Sequence, residues 1–174
     1  MNNYKAAVIG GGGHIGLPMS CFLQNSGVET LIIDKNNSVL RQIENIDPPF
    51  KEINFDHNLK NAIKSGLKTT SDIKKIKGHN VIIICLGTSS KLIDKELFNQ
   101  VISDITNYIE ENSLLILRST IEKGLVEKIV KNFNKLNKNI KVAYCPERIA
   151  EGFAFEELQT LPQIVGTLSN EDYE

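Results

Sequence analysis

The chain offers little to metal or disulfide chemistry. Its three cysteines, Cys21, Cys85 and Cys145, are scattered and odd in number. With no Cys-x-x-Cys pair and no histidine at ligand spacing, a disulfide framework and a zinc site are excluded. Neither sign of charge dominates: 20 lysines and arginines stand against 21 acids, a net charge of −1. That leaves no electrostatic case for nucleic acid or an anionic membrane as partner. No apolar run approaches the roughly 18 residues of a membrane span. The N-terminus enters a strand directly, without a signal-peptide pattern, which points to the cytosol. Internal repeats, low-complexity tracts and a dividing linker are also missing, so residues 1–174 read as one domain. At that length about 70% of the unfolded chain's surface is buried on folding, enough for a real core.

The informative stretch is Ala6-Ala7-Val8-Ile9-Gly10-Gly11-Gly12-Gly13-His14-Ile15-Gly16, an apolar strand running into glycines and then a helix. Gly11, Gly13 and Gly16 fit the Gly-x-Gly-x-x-Gly spacing. In that pattern the first glycine makes the tight turn, the second admits a pyrophosphate and the third lets helix pack on strand. The helix start aims unpaired N–H groups at the phosphates. Ile15, Met19, Phe22 and Leu23 recur at helical spacing and predict one buried face. A second run, Thr30 to Ile33, ends in Asp34, close to the distance at which a carboxylate meets the adenosine ribose. A carboxylate there repels a 2′-phosphate, so NAD is favoured over NADP, although Lys35 and Arg41 weaken the preference. The competing reading is that Asp34 only caps the next helix.

Asn37 to Ile46 predicts a helix stopped by Asp47-Pro48-Pro49. A weakly amphipathic segment covers Leu59 to Ile63, with Gly66 as its C-cap. Leu67 to Thr70 reads as a short strand, followed by a helical turn with Ser71 as N-cap. Val81 to Cys85 is uniformly apolar and mostly β-branched, as in a central parallel strand covered on both faces. From Lys95 a crossover helix carries Leu97, Val101, Ile102, Ile105 and Ile109 at helical spacing. Leu114 to Leu117 is the next strand. A helix with Leu125, Ile129, Val130, Phe133 and Leu136 on one side follows, then a strand from Ile140 to Tyr144. Alternation of this kind gives an α/β, Rossmann-like, doubly wound and mostly parallel sheet with helices on both faces.

Parallel strands deliver their carboxyl ends to one edge, where such sheets place ligands. Expected there are the glycine turn, Thr88, Ser119 with Thr120, and Glu147 with Glu151. The two acids are four apart and share a face if that segment is helical. A carboxylate beside a bound water suits general acid/base work. The competing readings are a helix N-cap for Thr120 and a solvated helix charge for Glu151. Cys21 and Cys85 read as buried inert thiols. Cys145, beside Pro146 and Glu147, is the cysteine nearest a plausible site.

These residues resemble the UDP-glucose/GDP-mannose dehydrogenase family over nearly the whole chain. The resemblance rests on Gly11-Gly12-Gly13-His14-Ile15-Gly16-Leu17-Pro18, Asp34, Pro49-Phe50-Lys51-Glu52, and Arg118-Ser119-Thr120 with Gly124. It rests also on Pro146-Glu147-Arg148-Ile149-Ala150-Glu151-Gly152 and Leu161-Pro162-Gln163-Ile164-Val165-Gly166. It implies oxidation of a nucleotide sugar's primary alcohol to a carboxylate with two NAD, through an aldehyde and a thioester. In that scheme Gly11, Gly13, His14, Ile15, Gly16, Asp34, Thr88, Ser119 and Thr120 hold the cofactor. Thr120 orients a water, Glu147 serves proton transfer or hydrolysis, and Glu151 lines the substrate pocket with Arg148 and Ile149. The wording of two of these motifs is closer to relatives acting on UDP-N-acetylhexosamines than on UDP-glucose.

Departures from the family pattern are Thr88-Ser89 where it has Thr-Pro, His14 in place of a tyrosine, and Ile121-Glu122-Lys123-Gly124 in place of a proline-rich stretch. The family's second domain supplies a nucleophilic cysteine, a lysine and an asparagine, and its central helix builds most of a homodimer. Neither falls within residues 1–174, and Cys145 matches a variable position. The chain is therefore expected to carry the cofactor domain alone and to complete no oxidation by itself. Two other readings are a non-catalytic dinucleotide-sensing module and the first domain of a hydroxyacid dehydrogenase.

Overall fold

Short β-branched runs and amphipathic stretches alternate along the chain, and the fold follows that alternation. The computed structural model describes residues 4–53, 55–89, 92–93, 95–150 and 152–168. In chain order the elements are β1 (Lys5–Ile9), α1 (Gly16–Asn25), β2 (Glu29–Ile33), α2 (Asn37–Glu44), α3 (Phe55–Lys64) and β3 (Lys68–Thr70). A 3-10 turn (Ile73–Ile76) leads to β4 (Val81–Ile84) and a small hairpin, β5 (Thr88–Ser89) with β6 (Leu92–Ile93). Then come α4 (Lys95–Tyr108), β7 (Leu114–Leu117), α5 (Leu125–Lys135), β8 (Lys141–Tyr144) and α6 (Ala154–Thr160).

Six strands form one sheet in the order β3-β2-β1-β4-β7-β8, and every neighbouring pair is parallel. The order reverses direction between β1 and β4. Chains leaving those two strands part toward opposite faces and leave a crevice at their carboxyl ends, where such sheets bind ligands. Beyond β8, Gly166 pairs antiparallel with Tyr144 through two backbone bonds of 2.8 and 2.9 Å.

Alternation along each strand divides the core into two layers. Ala7, Ile9, Ile33, Ile82, Ile84, Leu115, Leu117 and Val142 pack with Phe98, Val101, Ile102 and Ile105 of α4 and Ile129 and Phe133 of α5. On the other face Ile32 packs with Leu17 and Cys21 of α1, Leu40 and Ile43 of α2 and Phe55 and Leu59 of α3. Val8, Ile83 and Cys85 continue that layer, with Ile15 and Leu23 against them.

Several expectations need correction. Helix α1 does not bury a single face: Gly16 through Cys21 and Gln24 are all buried, while Phe22 and Leu23 are only half-buried. It lies between the sheet and helices α3 and α6, and a helix covered on several sides loses its amphipathic stripe. The 3-10 turn is capped by Asp72, whose carboxylate accepts from the Lys74 N–H at 3.0 Å, rather than by Ser71. In α5, Leu136 is exposed just past the helix end, and in α4 Phe98, outside the expected apolar set, is fully buried. Residues 145–150 are not helical, so no helix face aligns Glu147 with Glu151.

The approach of α1 to β1 depends on Gly16. A Cβ there would stand 2.3 Å from the Gly10 carbonyl oxygen and 2.7 Å from the Gly11 Cα. Both obstacles are backbone and cannot swing aside. We expect Gly16→Ala to destabilise the chain by about 3 kcal/mol, a fall of roughly 6–12 °C in the melting temperature followed by circular dichroism.

Candidate functional site

The glycine turn is built by its neighbours before any ligand is considered. Gly10 has φ +75°, and a Cβ on it would meet the Cys85 carbonyl at 2.6 Å. On Gly11 a Cβ would meet the Val8 carbonyl at 2.7 Å, and on Gly12 the Val39 Cγ1 at 2.6 Å. Backbone therefore closes off a side chain at Gly10, Gly11 and Gly16, and the Val39 and Asp34 side chains close it off at Gly12. Gly10 and Gly12 lie outside the three-glycine pattern, and the unbroken run of four was the signal that they matter. Gly13 differs from all of these: a Cβ there would come no nearer than 3.5 Å to anything, the Gly10 carbonyl being its closest neighbour. Nothing in the protein closes off a side chain at 13, so the position is open to a group approaching from outside.

What it faces is a helix start without a protein cap. Helix α1 has Ile15 at its N-cap, no side-chain cap bond and no acid in its first turn. Among the described helices it alone lacks both: Asn36 caps α2, and each of α3, α4, α5 and α6 has an acid in its first turn. Amides of a first turn have no intrahelical partner, and together with the helix dipole they form an anion-binding end. Pro18, which lacks an N–H, fits the first turn at no cost.

Asp34 closes the turn from the side. Its Oδ2 accepts from the Gly12 N–H at 3.0 Å and its Oδ1 from the Asn36 N–H at 3.0 Å. It does not cap α2. That role belongs to Asn36, whose side chain accepts from the Ser38 and Val39 N–H groups. Each Asp34 oxygen retains a lone pair. A cleft of about 330 Å³ opens here at the carboxyl ends of β1, β2 and β4. Gly10, Gly13, Asp34, Lys35, Ser71, Leu86, Gly87, Gln100 and Asp104 line it, over apolar walls from Ile9, Ile33, Leu97 and Val101.

Farther along the same edge lies a polar cluster. Arg118, at the end of β7, is 5% exposed and pairs with the Glu147 carboxylate, 13% exposed. Its Nη1 donates to Gln163 Oε1 at 2.7 Å, while its Nε has no hydrogen-bond partner. Glu147 Oε1 accepts from the Arg148 and Ile149 N–H groups at 2.7 and 2.9 Å, and Oε2 accepts from Arg118. Glu147 is thus oriented by three donors. Burial holds the Arg118 guanidinium below its ordinary pKa. It also pushes the Cys85 thiol up to about 12 and raises that of Cys145, while the nearby Arg118 charge pulls both in the opposite direction. Cys21 is likewise raised to about 12 by burial. All three cysteines are free and buried, as neutral packing groups.

Of the remaining expected residues, Ser119 is buried and donates to the Leu86 carbonyl at 2.9 Å, which ties the end of β7 to the end of β4. Thr120 is exposed on the same edge and is not a helix cap, since α5 begins after Gly124. His14 is exposed and its ring stacks on Phe50, while Ile15 is half-buried. Thr88 lies in β5. Arg148 is exposed and donates to the Pro162 carbonyl at 2.6 Å, and Ile149 is half-buried. Glu151 lies outside the described residues. The structure thus brings Gly10, Gly13 and Asp34 to one cleft and Arg118, Glu147, Arg148 and Ile149 to a second, small cavity of about 40 Å³. Arg118 was part of a motif but not singled out; its signal was a charge closing an otherwise apolar strand.

The model of the NAD-binding domain of the UDP-glucose/GDP-mannose dehydrogenase family matches residues 4–174. The chain belongs to that family. It is similar to the UDP-N-acetyl-D-mannosamine dehydrogenase of Pyrococcus horikoshii, 31% identical over 173 residues that cover 95% of this chain and 41% of the relative. The solved structure of that enzyme superposes with a TM-score of 0.87 at 30% identity, over 97% of this chain and 42% of that one. The relative from Methanocaldococcus jannaschii, of the same name, is 31% identical over 98% of this chain and 40% of its own length. The chain thus spans about two fifths of the curated relatives it matches.

The observed residues fit the cofactor in the family's description. An uncapped helix start over an open Gly13 suits a diphosphate, and an apolar cleft beside Asp34 suits an adenosine. Among the described residues no group of histidines, cysteines and acids could hold a metal ion, and no helix is long and apolar enough to cross a membrane.

The buried pair gives a stability test. Removing one partner strands the other's charge, so Arg118→Met should cost about 3–5 kcal/mol in urea unfolding. Adding Glu147→Gln should restore part of that loss, because the amide oxygen still accepts from the Arg148 and Ile149 N–H groups.

Proposed function

We propose that this chain works as one cofactor domain of a nucleotide-sugar 6-dehydrogenase. The enzyme would oxidise the primary alcohol of a UDP-sugar, of the UDP-N-acetylhexosamine type, to a carboxylate. The observation that carries the reading is the uncapped start of α1 above Gly13, beside a cleft that Asp34 borders. The substrate class draws on the names of the relatives from Pyrococcus horikoshii and Methanocaldococcus jannaschii, each 31% identical and both UDP-N-acetyl-D-mannosamine dehydrogenases. Such a product is a precursor for polysaccharide synthesis. The setting would be the cytoplasm and the assembled enzyme a homodimer.

A bound NAD would supply the hydride acceptor for oxidation of the alcohol carbon. The chain's own groups bind and orient. The glycine turn would cradle the diphosphate, with Gly11, Gly13 and His14 lining its approach and the Ile15 and Gly16 N–H groups at the start of α1 pointing to it, since the Gly11, Gly13 and Leu17 N–H groups already donate to the Ile33, Gly10 and Gly13 carbonyls. Asp34, with a lone pair left on each oxygen, would accept from the ribose hydroxyls and repel a 2′-phosphate. Thr88, Ser119 and Thr120 would line the nicotinamide end. Ser119 already spends its proton on the Leu86 carbonyl, so it has only lone pairs to offer there. The exposed Thr120 hydroxyl is available to orient a water. Glu147, fixed by its three donors, would take up a proton from substrate or water at hydrogen-bond range. Glu151, Arg148 and Ile149 would contact the sugar nucleotide.

Calorimetric titration tests the cofactor site. NAD should bind with a dissociation constant below millimolar. Gly13→Ala should weaken it by about tenfold or more, about 1.4 kcal/mol, without lowering the melting temperature, since its Cβ has room in the protein alone. Absence of binding at millimolar NAD would overturn the reading. Mixed with NAD and a UDP-sugar, the chain by itself should form no carboxylate, because its three cysteines are buried and none is placed to hold an aldehyde for the second oxidation. Formation of the sugar carboxylate would refute the assignment of that thiol to another part of the enzyme.

A further inference from the structure

The connection between α2 and α3 reaches in two directions. It leaves α2 through Ile46, whose φ of +59° is a left-handed conformation that β-branched residues avoid. Such strain persists only where surrounding contacts hold it. Pro48 and Pro49 then stiffen the path. At one end the Phe50 ring stacks on His14 of the glycine turn, centroids 4.1 Å apart and planes 28° from parallel. At the other end Glu52 Oε1 accepts from the Phe155 N–H at 3.1 Å, and the Ile53 N–H donates to the Gly152 carbonyl at 3.0 Å. Helix α6 has no side-chain cap of its own. Glu52, from another part of the chain, supplies an acceptor for its first turn.

We propose that Phe50 and Glu52 are positioning residues that couple occupancy of the glycine turn to the docking of Gly152 and the start of α6. The coupling rests on the cofactor reading above. His14 sits between Gly13 and the start of α1, so a diphosphate held there orders its backbone and with it the stack on Phe50. Phe50 and Glu52 are only two residues apart, just beyond the two prolines that fix the approach from α2, so ordering at the first restrains the second. The element with two states is the first turn of α6, docked on Glu52 or frayed. It follows the 146–150 segment, which is held at its far end by the Arg118–Glu147 pair and at its near end by the bond from the Ala150 N–H to Glu157 of α6. By linkage, whatever NAD does to that docking, docking does to NAD affinity by the same factor.

Amide hydrogen exchange on the whole chain, with and without saturating NAD, tests this. Exchange at the Ile53 and Phe155 amides should slow about fivefold or more on adding NAD. Phe50→Leu and Glu52→Ala should each abolish that slowing and weaken NAD by a comparable factor. Phe50→Tyr, which keeps the ring, should retain both. A merely structural role would change exchange in the free chain but not the increment caused by NAD. Persistence of the increment in both disruptive variants, or its absence in the parent chain with NAD demonstrably bound, overturns the coupling. If calorimetry finds no NAD binding, the cofactor reading falls and the coupling falls with it. The free-chain comparison of Phe50→Leu with Phe50→Tyr at the Phe155 amide then decides the mechanical link by itself.

Discussion

The close meeting of two backbones, the glycine turn after β1 and the first turn of α1, is the constraint on which the rest depends. Gly16 lies where a single added carbon would overlap the Gly10 carbonyl. Because that contact has no side chain in it, α1 begins directly over the end of the central strand. The same closeness buries the helix on several sides. It also leaves the helix start facing the crevice where the sheet reverses its order.

Much of this was legible in the sequence. Uniform runs such as Val81 to Cys85 gave strands within a residue of their observed ends, because a strand covered on both faces must be apolar throughout. Expectations that rested on helical spacing fared less well. The faces of α1 and α5 were set by which elements pack across them, and spacing alone does not contain that information. Asp34 was recognisable by distance from the turn, yet its bond to the Gly12 N–H was not, since a side chain reaching back across 22 residues leaves no periodic trace. Choosing Ser71 over Asp72 as a cap was a one-position error between two residues that cap equally well.

The polar cluster at the far end of the edge was only half visible. Arg118 and Glu147 are 29 residues apart and meet because β7 and β8 are parallel and in register, Leu117 opposite Tyr144. That register puts Cys85, Arg118 and Cys145 side by side across three strands, a guanidinium between two thiols. The three residues look unrelated in the sequence. In the fold they share one low-dielectric environment, and burial pushes all three toward their neutral forms.

The pairing of Gly166 with Tyr144 bears on solubility. A parallel sheet ends in a strand whose free backbone groups can recruit a second molecule. Here the outermost strand on that side, β8, is already engaged by a stretch running the other way. The opposite border, β3, is three residues long and begins with a lysine. Both margins thus offer little purchase for edge-to-edge association between copies, a safeguard that owes nothing to the groups lining the crevice.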